Sequence, residues 1–489
     1  MNTELKNRKL SLLTDLYELL MMQGFYKNEK MRDKIAIFDV FYRKNPYGNG
    51  FALYCGLSEI IEYVMNLKFD DDDINYLRNT KIFDKDFLSY LKNFKFTGSL
   101  YSFLEGSIVN IKEPIIKIVA SLPEAMLLEG AMLSIFNHET LIATKAYRIC
   151  LAAQGKAVME FGLRRAHNID ASLYGAKAAV IAGCVGTSNV LSAKMYDMIC
   201  MGTMAHSWIM SYDNEYEAFY QFAKKYNDMA ILLVDTYDVL KSGVPNAIKV
   251  FKKLKEEGWT SKKYGIRIDS GDLCYLSIES RKMLDEAGFK DALICVSNDL
   301  DENLIMSLNN QGAKIDLYGV GTKLITGHPE SSLGGVYKMS AIKDKNETNF
   351  TPKIKISENS DKITNPGNKE VYRIFDNNDK IVADLITLAD EIIDTNDDIT
   401  LFDPMDTWKK TTLQKNNYKI EKMLKEIIID GKLVYNDTTV KEKAKYFKEQ
   451  MTHFNSDHLR ITNPKEYHVD LSKKLYDTKM KMLQDHRNN

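Results

Sequence analysis

Between residues 155 and 320 or so, the hydrophobic and polar positions of the chain repeat one unit: a short apolar run, a break of Gly, Ser, Thr or Asp, then an amphipathic stretch with helical spacing. That grammar is βα alternation. The apolar runs at 157–161, 183–185, 198–200, 230–234, 264–268, 293–296 and 315–318 predict strands, and strands this apolar are covered on both faces. The stretches 214–227, 245–257, 275–287 and 301–311 predict helices, with Gly258, Gly288 and Gly312 closing the last three. Such strands in series, joined by helices, predict a parallel α/β barrel.

The flanks follow a different pattern. Segments 34–42 and 100–103 predict half-exposed strands separated by helices, the mark of an α+β domain. The acidic run Asp70-Asp71-Asp72-Asp73 predicts a helix N-terminus, where negative charge is favoured, rather than a metal site. Segments 370–375 and 380–385 flank Asp376-Asn377-Asn378-Asp379 and predict a hairpin. Residues 343–368 are polar and predict a loop or linker, and the Lys-rich chain beyond 437 predicts amphipathic helix.

Composition narrows the class. The chain has 489 residues, 45% hydrophobic and 27% charged, the values of a globular protein too long for one core. Its formal net charge of -1 supplies no basic field for nucleic acid or anionic lipid, so phosphate recognition must be local. No apolar run reaches the roughly 18 residues of a membrane span, and the first residues lack a signal-peptide pattern, so a soluble cytoplasmic protein is expected. The six cysteines are dispersed without a Cys-x-x-Cys pair, which predicts buried free thiols in a reducing compartment.

In a parallel barrel, the polar residues after each strand converge on one face, where such folds hold their sites. Here the strand ends carry Gly162-Leu163-Arg164-Arg165, Gly186-Thr187-Ser188-Asn189, Gly202-Thr203-Met204-Ala205-His206, Asp235-Thr236, Asp269-Ser270-Gly271-Asp272, Ser297-Asn298-Asp299 and Gly319-Val320-Gly321-Thr322. Gly319, Gly321 and Thr322 form either a tight turn or a backbone cradle for an anion. Arg164 and Arg165 offer forked donors to phosphate or carboxylate. Asp235, Asp269 and Asp272 are able to hold a hard cation such as Mg²⁺, or else cap turns and helices. His206 is either structural or a base or phosphoacceptor. Lys323 lies past the glycine turn and is assigned to charge or solvation.

These motifs, together with Leu13-Thr14-Asp15-Leu16-Tyr17, Glu160-Phe161-Gly162-Leu163-Arg164-Arg165-Ala166 and Arg267-Ile268-Asp269-Ser270-Gly271-Asp272, closely resemble the nicotinate phosphoribosyltransferase family in order and spacing. The resemblance implies an α/β fold: an irregular (β/α) barrel with an additional α+β domain built from the N- and C-terminal segments. Residues 1–130 would open that domain, 131–345 form the barrel and 346–489 complete the domain with a helical tail. It implies transfer of phosphoribose from 5-phosphoribosyl 1-diphosphate to nicotinate, yielding nicotinate mononucleotide and diphosphate with coupled ATP hydrolysis, a first step of NAD synthesis. Mg²⁺ and a homodimer with shared sites come with it.

By the same resemblance, Phe161 and Tyr17, the latter from the partner chain, would sandwich the pyridine ring, and Arg267 would face its carboxylate. Thr203 would join the substrate site. Arg164 and the turn of Gly319, Gly321 and Thr322 would take the ribose 5-phosphate. Asp235 and Asp269 would hold Mg²⁺ or ribose hydroxyls, and His206 would be phosphorylated by ATP. Tyr17 also reads as a core aromatic of an amphipathic stretch. His167 departs from the amide side chain common at its position. Ser188 stands where nicotinamide-specific relatives carry Asp, so the alternative, a nicotinamide phosphoribosyltransferase, is disfavoured by a neutral side chain. A phosphate-binding regulator would have lost Asp235, His206 or Asp269, and a barrel lyase would place a lysine at a strand end, which this chain does not.

Overall fold

The structure, a computed structural model, describes residues 8–404, 406 and 408–487. The chain divides into two compact units, Ile142–Ser331 and the pair of segments Met1–Leu141 and Ser332–Asn489.

The unit Ile142–Ser331 is built on a parallel sheet of β1 (Ala157–Glu160), β2 (Gly186–Thr187), β3 (Ala230–Leu233), β4 (Tyr264–Ile268), β5 (Leu293–Val296) and β6 (Leu317–Val320). Their lateral order is β2-β1-β6-β5-β4-β3, the cyclic order of a barrel opened between β2 and β3. The run at 198–200, expected as a strand, contributes only a parallel bridge between Thr187 and Cys200 at that opening. The expected strands at 183–185 and 315–318 are displaced toward the C-terminus. The Asp316 carboxylate accepts the Ile294 N–H at 2.8 Å, so side-chain bonding stands where the ladder would begin. As a result, Gly186-Thr187 and Gly319-Val320 lie inside strands rather than in the loops after them.

The intervening helices include Glu215–Lys225, Val244–Glu256, Leu273–Glu286 and Glu302–Asn310. Asn214, Asp272 and Asp301 cap three of them, each side chain accepting a backbone N–H three residues on. Gly258, Gly288 and Gly312 adopt φ of +85°, +89° and +81°, the left-handed conformation that ends a helix at low cost in glycine. The strands are buried almost throughout, as their composition requires.

The other unit interleaves both ends of the chain. One sheet runs, in lateral order, Thr351–Pro352, Val336–Lys343, Ile35–Phe41, Ile116–Ser121, Ser99–Ser102, Lys425–Ile429 and Lys432–Leu433. A second holds Lys369–Asp376 and Ile381–Leu388, the expected hairpin, whose turn is closed by the Asp376 N–H donating to Lys380 O at 2.8 Å. The acidic run starts the helix Asp71–Asn79 through a reciprocal capping box of Asp70 and Asp73. Because Val336–Lys343 pairs with Ile35–Phe41, it belongs to this unit and not to the barrel segment expected to run to residue 345. At the other boundary, the helix Glu129–Ala152 runs on past residue 130, and the division falls at 141.

Two expectations are corrected here. Ile35–Phe41 and Ser99–Ser102 are not half-exposed but largely buried on both faces. Asp39 in the first of them pairs through Oδ2 with Lys369 at 2.8 Å, both nearly inaccessible, while its Oδ1 has no hydrogen-bond partner among the described residues. The cysteines are all free, but Cys200 is exposed and Cys150 and Cys274 only partly buried.

Candidate active site

The ends of β1 and β2 are tied by one carboxylate. Glu160 is fully buried; it accepts the Gly162 N–H and, at 2.5 Å, the Thr187 hydroxyl. Burial pushes its carboxyl above the usual range. Its carbonyl accepts the Ser188 N–H at 2.9 Å. Phe161 follows directly, its N–H donating to Val320 O at 2.8 Å, its ring lying against Gly319. A Cβ at Gly319 would fall 2.6 Å from the ring's Cδ2, so only glycine fits beneath Phe161. In this geometry Gly319 is a floor for the aromatic ring, which its position inside β6 explains.

Next along the mouth stands a polar network. The Arg267 Cζ sits 5.7 Å from the centroid of the Phe161 ring. Its Nε donates to Ser297 Oγ at 2.8 Å, Nη1 to Thr203 Oγ1 at 2.9 Å and Nη2 to Asp269 Oδ1 at 2.9 Å. Ser297 also donates to Asp269 Oδ1. Asp235 Oδ2 accepts the Ser270 hydroxyl at 2.6 Å and the Asp269 N–H at 3.2 Å, while its Oδ1 is buried with no partner among the described residues. His206 begins a short helix, its Nδ1 3.1 Å from Thr236 Oγ1 and its Nε2 4.0 Å from Asp269 Oδ2.

Phe161, Ser188, Thr203, His206, Asp235, Arg267, Asp269 and Gly319 therefore gather at one end of the parallel sheet. Gly321 and Thr322 follow β6 there, partly exposed. Arg164 and Arg165 occupy a short 3-10 turn after Phe161, and both are exposed, as is His167. Asp272 is the cap of its helix, and Lys323 pairs with Asp301 at 2.7 Å, which makes both structural. Tyr17 lies in the other unit, on the helix Leu16–Lys27; the residue is 45% exposed, so it is not a core aromatic. Partial burial and the carboxylates of Glu129, Glu18 and Asp15 push its phenol up to about 12.

Glu160, Thr187, Ser270, Thr236 and Ser297 stand in the sequence motifs but carry no individual role there. Their signal was faint: an acid inside an apolar strand and hydroxyls beside the named aspartates. Beside Ser188, a cleft of about 500 Å³ is lined by Leu163, Ala166, Ile169, Val190 and Leu191. Ile169 and Val190 are 76% and 70% exposed, an apolar rim on a polar mouth.

With this geometry in place, comparison with known proteins is specific. The family model described as the nicotinate phosphoribosyltransferase family matches residues 156–387, and the models of that enzyme's N-terminal and C-terminal domains match 12–137 and 368–479. Nicotinate phosphoribosyltransferase of Bacillus subtilis (strain 168) is 43% identical over 98% of this chain and 96% of its own length. That of Dictyostelium discoideum is 32% identical over 96% of this chain and 87% of its own. The crystal structure of human nicotinic acid phosphoribosyltransferase superposes with a TM-score of 0.82, covering 96% of this chain and all of that one, which at 24% identity shows the shared fold.

Proposed function

The chain belongs to the nicotinate phosphoribosyltransferase family, and from that premise we propose that it joins nicotinate to 5-phosphoribosyl 1-diphosphate, forming nicotinate mononucleotide and diphosphate. The observation that carries the reading is the aromatic face of Phe161 beside the fixed cation of Arg267, with the uncharged Ser188 on the adjoining strand end. A flat ring stacks on Phe161, its carboxylate drawn by the guanidinium and not repelled by a second carboxylate at Ser188. An aspartate there would favour the amide, the reading this chain does not support.

The pyridine nitrogen attacks C1 of the ribose with its free lone pair as the C1–O bond to diphosphate breaks, and the electron pair leaves on the diphosphate oxygen. No proton need be removed. The protein's work is to orient the ring and to stabilise charge on the leaving group. Gly321, Thr322 and Arg164 take the ribose 5-phosphate in this reading, and Thr203 holds Arg267 in place. The donor set fits Mg²⁺: Asp235 Oδ1 is buried without a partner among the described residues and Asp269 Oδ2 is free of the bonds that occupy Oδ1. Bound Mg²⁺ supplies neutralisation of the departing diphosphate.

ATP acts through His206. In the tautomer that donates Nδ1–H to Thr236, the Nε2 lone pair is the phosphoryl acceptor, and the side chain is 40% exposed, open to a nucleotide. A second copy of the chain covers the apolar rim at Ile169 and Val190 and brings Tyr17 of the partner subunit over the pyridine. A fully active monomer in sedimentation at assay concentration would exclude that arrangement. The free thiols suit a cytoplasmic setting, and no helix among the described residues is long and apolar enough to cross a membrane.

The test is direct. Incubation with 5-phosphoribosyl 1-diphosphate, Mg²⁺ and either pyridine, with and without ATP, is expected to yield mononucleotide from nicotinate far faster than from nicotinamide. Equal use of the two removes the proposal. The His206→Ala protein is expected to keep ATP-independent synthesis and to lose stimulation by ATP.

A further inference from the structure

We propose that Glu160 is a positioning residue for the pyridine site: it clamps the ends of β1 and β2 so that Phe161 and Ser188 stand at a fixed separation. The inference rests on the reading of those two residues as walls of the nicotinate site. Phe161 lies between Glu160, which bears the carboxylate, and Gly162, whose N–H the carboxylate accepts. Ser188 is bracketed in the same way. Before it, Thr187 donates its hydroxyl to Glu160 at 2.5 Å; after it, the Asn189 N–H donates back to Thr187 Oγ1 at 3.0 Å, and its own N–H is held by Glu160 O at 2.9 Å. One fully buried side chain thus bonds a neighbour of each wall directly, Gly162 after Phe161 and Thr187 before Ser188.

The chemistry requires a carboxylate and not merely a polar group. Two donors converge on it, and each needs an acceptor. Glutamine at this position would turn its NH₂ either toward the Gly162 N–H, donor against donor, or toward Thr187, leaving the hydroxyl proton unpaired in a buried site. No part of Glu160 is exposed, so substrate cannot touch it and its effect must pass through Phe161 and Ser188. Space is closed as well. A Cβ at Gly162 would lie 2.7 Å from Glu160 Oε1 and against Ile325, so the turn has no room to relax around a misplaced carboxyl.

The experiment uses the full chain and initial rates with Mg²⁺ and ATP, varying nicotinate and 5-phosphoribosyl 1-diphosphate separately. Thr187→Val and Glu160→Gln are each expected to raise KM for nicotinate about tenfold and to leave KM for the phosphoribosyl donor within about twofold. Thr187→Ser, which restores the hydroxyl, is expected to return the nicotinate KM to near the wild-type value. The double variant is expected to be no worse than the worse single one, because both remove the same clamp. An unchanged nicotinate KM in a folded variant, a parallel rise in both KM values, or additive losses would each overturn the proposal. Should Glu160→Gln fail to fold, the Thr187→Val and Thr187→Ser pair decides the matter alone. A wild-type protein that does not use nicotinate would take down the parent reading and this one with it, whereas an active wild type with indifferent variants strikes only the role of Glu160.

Discussion

Two arginine–aspartate pairs in this chain have the same chemistry and opposite purposes. In the hairpin Lys369–Asp376 and Ile381–Leu388, Arg373 grips both oxygens of Asp384 at 2.9 and 2.8 Å, and its other donors go to Gln450 Oε1 and Ile108 O. Neither partner is exposed at all. At the mouth of the parallel sheet, Arg267 is 14% exposed and Asp269 32%, and the arginine engages only one aspartate oxygen. The first pair is closed: both carboxylate oxygens are engaged and each nitrogen of the guanidinium donates inside the fold. The second is open and keeps a carboxylate oxygen and a charged flank for something that is not part of the chain. A site differs from a structural ion pair in the bonding capacity left over.

If the closed pair serves the fold alone, Arg373→Leu leaves Asp384 buried and unpaired and should cost about 3–5 kcal/mol of stability. Denaturant unfolding reads the loss, and the fraction that folds should show an unchanged KM for nicotinate. The open pair should behave in reverse. Asp269→Asn is expected to lower kcat/KM about a hundredfold, in the range found on removing a preorganised charge-stabilising group, with the unfolding midpoint nearly unmoved. Should Asp269→Asn unfold the protein while Arg373→Leu disturbs only turnover, the comparison is inverted.

Glu18 extends the comparison to a buried carboxyl without a cation. It accepts the Thr14 hydroxyl, its Oε1 has no partner among the described residues, and burial raises its pKa to about 7. Between the two values the native state therefore holds a proton that the unfolded chain, with a pKa near the ordinary 4.5, has already released. Stability should be highest below that lower value and fall as pH rises toward 7, by on the order of 2 kcal/mol. Glu18→Gln should flatten this slope in urea titrations at pH 5 and pH 8; a slope as steep as the parent's would show that other groups carry it. The smallest change is expected from Ser188→Asp, which in the proposed site would set a like charge before the carboxylate of nicotinate and should raise its KM about tenfold. An unaltered KM would place the carboxylate elsewhere.

Most of the barrel was readable from local pattern, because strands covered on both faces must be apolar and helices must be capped. The apolar runs, the three glycine helix ends and the 376–379 turn recur in the fold at or close to their predicted positions. What could not be read was ladder register. The edge segment 198–200 has the composition of a strand but finds a neighbour only at Cys200, and β2 and β6 start later than their apolar runs. Hydrogen-bond pairing depends on what lies alongside, and single-chain pattern carries no record of it.

The site divides along the same line. Local pattern alone is enough to put Ser188, His206, Asp235 and Asp269 at strand ends, since strand ends follow from strand positions, whereas Phe161 and Arg267 are implied by the family resemblance. How these groups are employed follows from packing between distant segments. It turned Asp272 into a helix cap, Lys323 into an ion-pair partner of Asp301 and Gly319 into the floor under Phe161, and it made Glu160, an acid in an apolar strand with no role of its own in the sequence motif, the link between two strand ends. The physical reason is that a polar side chain's role is set by the donors and acceptors that remain to it after folding. That remainder is a property of neighbours brought together from distant parts of the chain, which no local pattern contains.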